Sequence, residues 1–236
     1  IWPNMPQLGI VELDEQEYGT PFDMGNYTVR MFELLHGKII ESNEGCKNIK
    51  IKKEARIRTI NPESDTIPQN GHMACPPDSL TYLSLAFLLE HKLNGESVLV
   101  FGDFESDKIL GLDRNIKIWH HIAPLVNLGT LKAIVLECSQ CVSNEHNLYG
   151  HLMPRHLIDE LKVLEKECQK QYQDRNGSIN AATPLKDFHI LVNHVKETME
   201  GQCPRREILE SLNSLNNDNN LGISFTIALS GVSVRV

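Results

Sequence analysis

No run of apolar residues in this 236-residue sequence is long enough to span a bilayer, and no secretory signal is visible. Positive charge is also short. The formal net charge is −8, which argues against a general nucleic-acid surface, since that needs clustered Lys and Arg to displace counterions. A small anionic substrate stays open, because a bound metal can supply positive charge locally. Cys138 and Cys141 form a CxxC, but no second CxxC completes a zinc knuckle. The other cysteines, Cys46, Cys75, Cys168 and Cys203, are scattered, a pattern that favours reduced thiols in a cytoplasmic protein and buried packing roles. There is no internal repeat and no long low-complexity tract. The chain starts at Ile1-Trp2-Pro3 with no initiator Met and reads like the interior of a longer sequence.

What is present is organised around Val98 to Asp107, VLVFGDFESD. Four apolar residues make a run of the kind that forms a strand buried on both faces; Gly102 breaks it, and Asp103 sits at its carboxyl end. Upstream, residues 1–26 read as loop with a short strand at Gly9–Leu13, and Tyr27–Leu35 reads as strand or short helix. Asn48–Ile60 alternates with period two, predicting an edge strand. Pro62–Pro77 is a loop carrying His72. Tyr82–Glu90 is a strand, and Asn94-Gly95 signals a hairpin into Ser97–Phe101. Downstream, the pattern predicts a helix over Asp113–Leu128, a buried strand at Leu131–Glu137 and an amphipathic helix over Pro154–Gln173. A strand at Asp187–Asn193, a helix over Pro204–Leu215 with Pro in its first turn, a turn at Asn216–Asn220, and strands at Ile223–Leu229 and Val232–Val236 follow. Strands first, then strands alternating with helices, predict a layered α/β fold with its chemistry at the carboxyl ends of the strands.

Those ends or the loops beside them present His72, Asp103, Glu137, His151 and His194. Asp103 follows VLVFG and His194 follows FHILVN, two apolar runs that parallel packing would place side by side. Imidazole and carboxylate together suit zinc or a similar divalent ion. Each of these residues also has a plain reading, a turn cap or a satisfied strand-end side chain. Glu137 reads either as a partner that orients a histidine or as a carboxylate bonded to backbone.

The segments VFGDFESD, IVLECSQCVSNEHNLYGHLMPRHLIDEL and ILVNHVKET, in that order, resemble class II cyclic-nucleotide phosphodiesterases of the fungal, low-affinity type. The combination of GD, LECS, YGHLxP and NHVK carries the resemblance, which covers most of the chain and is weakest over residues 10–70. It implies a metallo-β-lactamase fold, an αββα sandwich, of which residues 1–236 would be the carboxyl-terminal portion of a single domain. It also implies hydrolysis of cyclic AMP, with cyclic GMP open, to the 5′-monophosphate by a hydroxide bridging two divalent metal ions, zinc with Mg2+ or Mn2+ as alternatives. Carried over by position, His72 would ligate one metal, Asp103 would bridge both and His194 would ligate the other. His151 would sit at the substrate phosphate, touching an oxygen or protonating the departing 3′ oxygen.

One departure is serious. The family's main metal motif is HxHxDH, and no HxH occurs anywhere in this sequence. An amino-terminal portion carrying that motif is therefore an expected partner. The other partner is a small cyclic nucleotide, with no nucleic-acid polymer and no membrane, and a homodimer stays open. Two alternatives remain: another hydrolase of the same fold, a nuclease or thioesterase, and a non-catalytic fragment.

Overall fold

In the computed structural model, residues 19–38, 81–141, 150–176, 183–196 and 203–235 are described. The expected strand at Gly9–Leu13, the alternating stretch Asn48–Ile60 and the Pro62–Pro77 loop with His72 lie outside them.

The described strands are β1 (Pro21–Met24), β2 (Tyr27–Lys38), β3 (Thr81–His91), β4 (Ser97–Phe101), β5 (Leu131–Glu137), β6 (His189–Asn193) and β7 (Ser224–Ile227). They form one seven-stranded sheet in sequential order. β1 to β4 pair antiparallel and β4 to β7 pair parallel. The helices are α1 (Asp107–Leu110), α2 (Asn115–Asn127), α3 (Pro154–Asn176) and α4 (Pro204–Asp218). Two antiparallel steps restore direction, so β2 runs the same way as β4, β5 and β6. Their four carboxyl ends share one edge of the sheet.

The Asn94-Gly95 hairpin forms as expected, with Gly95 at φ 69° supplying the left-handed turn residue between β3 and β4. The core lies on one face. Phe32, Leu34, Ala86, Leu88, Leu99, Phe101, Ile134, Leu136, Ile190 and Val192 from the sheet meet Trp119 and Ile122 of α2, the Leu157, Leu161 and Leu164 row of α3, and Leu212 of α4. The row predicted from helical spacing in α3 is thus the row that packs.

Two details show how polar groups are satisfied under this layer. Pro124 inside α2 has no N–H to give the His120 carbonyl one turn back, and Gln171 of α3 donates to that oxygen instead, at 2.8 Å. The amino end of α2 lacks a side-chain cap of its own. Asp107 supplies one from α1, accepting from the Arg114 N–H and the Ile116 N–H at 3.0 Å each.

Several expectations are corrected. β4 is buried on one face only: Ser97, Leu99 and Phe101 are buried, whereas Val98 and Val100 are half-buried. β1 falls in a stretch read as loop, because pairing with β2 rather than its own composition makes it a strand. Tyr27–Leu35 resolves to strand, and the strand runs on to Lys38. α4 continues to Asp218 through the expected turn, with the buried Asn216 exchanging two hydrogen bonds with the Ile223 backbone. Residues 232–235 form no strand. The strands β4 and β6 are not neighbours, since β5 lies between them.

Candidate metal centre at the carboxyl edge of the sheet

Asp103 is placed by the residue before it. The Gly102 N–H donates to the Leu85 carbonyl at 2.9 Å, holding the end of β4 against β3. A Cβ on Gly102 would lie 2.5 Å from Ser84 Oγ and 3.1 Å from the Leu85 carbonyl oxygen, so any side chain there displaces the serine and crowds the β3 backbone. The chain then turns and presents the Asp103 carboxylate beyond the strand end.

His194 follows β6 at φ 54°, a left-handed conformation that costs a non-glycine residue about 1 kcal/mol. Its Nδ1 lies 2.5 Å from Asp103 Oδ1. The two residues singled out as strand-end partners therefore meet, reaching across the end of β5.

The last residue of β5 fills the space between. Glu137 is 1% exposed. Its Oε1 accepts the Phe104 N–H at 2.9 Å; its Oε2 accepts the Ser139 hydroxyl at 2.6 Å and lies 2.9 Å from His151 Nδ1. Both readings offered for Glu137 hold at once, because it bonds to backbone and also engages a histidine. The His151 ring stands between two others, with centroids 4.8 Å from His36 and 5.0 Å from His194.

His36 is the residue that sequence reasoning missed. It lies near the carboxyl end of β2, where the pairing with β3 shifts register between Leu35 and Lys38, an irregularity of the kind that re-aims a side chain. Its Nδ1 is 2.9 Å from the Gly150 carbonyl oxygen. A carbonyl only accepts, so Nδ1 carries the proton and Nε2 keeps its lone pair. That Nε2 is 3.9 Å from Asp103 Oδ2. The signal available was the run MFELLHG, which ends in histidine and glycine as VLVFGD ends in glycine and aspartate.

Three imidazoles and two carboxylates thus converge: within each of the sets His36–Glu137–His151 and Asp103–His151–His194 the ligand atoms lie within 4.8 Å of one another. This set fits a divalent ion. The 3.9 Å between His36 Nε2 and Asp103 Oδ2 is too long for a hydrogen bond, yet two bonds of about 2.0–2.2 Å to one ion span it. Asp103 turns one oxygen to His36 and the other to His194, the disposition of a carboxylate shared between two positions. His194 Nδ1 and Asp103 Oδ1, 2.5 Å apart, are in ion-pair contact on the other side of the same carboxylate.

Two other titratable groups lie near this edge. The Asp107 carboxyl is pushed up to about 6, chiefly by burial, with the neighbouring Glu160 charge adding to the effect against three backbone hydrogen bonds. Burial raises the Cys138 thiol well above its ordinary value, so this CxxC residue is an inert part of the core.

Comparison with known proteins agrees with this geometry. A family model described as cAMP phosphodiesterases class-II matches residues 1–231. A 3′,5′-cyclic-nucleotide phosphodiesterase of Candida albicans is 42% identical over all of this chain and 61% of its own length. 3′,5′-Cyclic-nucleotide phosphodiesterase 1 of Saccharomyces cerevisiae is 32% identical over 80% of this chain and 50% of its own length. The crystal structure of unliganded yeast PDE1 superposes with a TM-score of 0.64 at 24% identity, covering 92% of this chain and 48% of that one, so the α/β fold is shared. The chain spans about half to three fifths of the length of these relatives. With the match running almost end to end, the chain belongs to the class-II cAMP phosphodiesterase family.

Proposed function

We propose that the protein carrying this chain hydrolyses 3′,5′-cyclic nucleotides, cyclic AMP first, to nucleoside 5′-monophosphates. The observation that carries the reading is the convergence of His36, Asp103, His151 and His194 at one sheet edge, in a chain whose family match covers residues 1–231. His36, Asp103 and His194 would hold divalent metal, and two imidazoles with one carboxylate favour zinc over harder ions. Bound there, the metal supplies a water of lowered pKa and positive charge facing the phosphate. Residues 1–236 would act as the carboxyl-terminal portion of one domain, with an amino-terminal portion carrying HxHxDH completing the donor set. The fold expected from the resemblance, an αββα sandwich, is consistent with helices packed on one face of the described sheet only. Four unpaired cysteines among the described residues accord with a reducing, cytoplasmic setting.

The reaction adds water across one bond. Oxygen attacks phosphorus, the bond from phosphorus to the 3′ oxygen breaks, and that oxygen takes a proton. The chain's own residues supply two parts of this. Asp103 and the histidines fix the charged phosphate by fixing the ions that neutralise it, which lets a protein of net charge −8 bind an anion. His151 gives a proton from Nε2 to the departing 3′ oxygen as a general acid, so the acting ring carries one proton on Nε2 and a second on Nδ1, the nitrogen that lies on Glu137.

A substrate panel tests the reading. The purified whole protein is offered cyclic AMP, cyclic GMP, RNA and a thioester, before and after chelation and zinc return. The expected result is turnover of cyclic nucleotide, lost with the metal and restored by it. Turnover of RNA or thioester alone, or none by fully metallated protein, overturns it.

A further inference from the structure

Glu137 does more than fill the end of β5. A carboxylate accepts and does not donate, and this one is 1% exposed with three donors around it: the Phe104 N–H, the Ser139 hydroxyl and His151 Nδ1. His151 must therefore carry a proton on Nδ1, which leaves Nε2 as the nitrogen offered to anything between His36 and His194. The same carboxylate fixes the backbone one residue after Asp103 through Phe104. One buried group thus sets both the ring that would meet the substrate and the loop that carries the shared aspartate. We propose that Glu137 is the positioning residue of His151, holding its ring and tautomer so that Nε2 serves the phosphodiester. The proposal rests on the function proposed above for the stage at which His151 acts.

The amide isostere separates this role from plain bracing. In Glu137→Gln the shape is kept, but one oxygen becomes an NH2. If the amide oxygen stays on Phe104, the NH2 faces Ser139 and His151. The Ser139 hydroxyl can rotate to accept; His151 can accept only with Nδ1 bare and its one proton on Nε2, which excludes the doubly protonated ring that a general acid braced through Nδ1 requires. If the amide turns over, NH2 meets the Phe104 N–H, donor against donor, and the Asp103 loop must shift.

The experiment uses the whole protein with 15N-labelled histidine, His151 being assigned by its loss in His151→Ala. Ring-nitrogen NMR is expected to show Nδ1 protonated in the wild type and the proton displaced to Nε2 in Glu137→Gln. With cyclic AMP, kcat is expected to fall about 10–100-fold, the scale for loss of an orienting partner, with KM within about twofold. In the His151→Ala background, Glu137→Gln is expected to cost nothing further, because the two act as a unit. A bare Nδ1 in wild-type His151 overturns the proposal without any variant having to fold. So does unchanged kcat in Glu137→Gln, or a double variant slower than His151→Ala by the full single-variant factor. If the wild type turns over no cyclic nucleotide, the proposed function falls, and the ring-nitrogen spectrum still decides the role of Glu137.

Discussion

Oδ1 of Asp103 lies 2.5 Å from Nδ1 of His194, although the strands that deliver them, β4 and β6, are separated in the sheet by β5. The contact exists because each residue lies past its strand end and Glu137, at the end of β5, stays buried beneath them. Asp103→Ala removes the carboxylate that faces both His36 and His194. Hydrolysis of cyclic AMP by the whole protein is expected to fall by at least about 10²-fold, the scale of a misplaced active-site group, with the far-ultraviolet circular dichroism unchanged. Near-normal hydrolysis would remove Asp103 from the mechanism.

His36 and His72 compete for one role. The resemblance gave a ligand position to His72, whereas the described residues bring His36 Nε2 to 3.9 Å from Asp103. Elemental analysis of dialysed His36→Ala and His72→Ala proteins decides between them. His36→Ala is expected to lose bound metal and at least about tenfold in activity, since losing even an outer partner of a ligand costs that much. His72→Ala is expected to retain both. The reverse result would return the position to His72.

The contrast shows what a single sequence carries. Leu157, Leu161 and Leu164 announced the buried row of α3 because helical spacing is local, and VLVFGD announced both a strand and its carboxylate. His36 was hidden for two physical reasons. Val29 to Leu35 mixes buried and half-buried residues without a clean period, so strand and helix could not be told apart. Moreover, β2 shares a carboxyl edge with β4 only by virtue of β3, a pairing between residues some fifty positions apart in sequence. The Asp107 cap on α2 was hidden in the same way, since a capping residue is sought immediately before a helix and not in the previous one. Glu137 was legible as a strand-end carboxylate, but its three partners come from three separate segments.

Gly102→Ala tests the close approach that aims Asp103. The added Cβ meets backbone at the Leu85 carbonyl as well as the Ser84 hydroxyl. The serine can rotate away; the carbonyl, which already accepts the Gly102 N–H, cannot. A loss of about 1–3 kcal/mol in urea unfolding is expected, with activity falling further than Ser84→Ala makes it fall. Wild-type stability would mean that β3 yields there and that glycine is dispensable.

Asp107 gives a pH dependence whose sign is opposite to that of an ordinary ion-paired carboxylate. Its folded pKa is raised from 3.8 to about 6, first by burial and also by the charge of Glu160, which is itself buried and accepts from the Asp107 N–H and from Trp119 Nε1. A raised acid binds its proton more tightly when folded. Its stabilising contribution is therefore complete below the unfolded value near 3.8 and disappears as pH rises through about 6. Two units correspond to roughly 3 kcal/mol at most. Asp107→Asn cannot titrate there, so urea unfolding of both proteins from pH 4 to pH 7 should show the wild type losing ground to the variant by up to that amount, most steeply between about pH 4 and 6. A constant difference across the range would mean that the carboxyl titrates alike in both states. The charged form persists at neutral pH because the N–H groups of Arg114 and Ile116 need an acceptor, and the cap on α2 is kept at the expense of holding Asp107 and Glu160 ionised side by side.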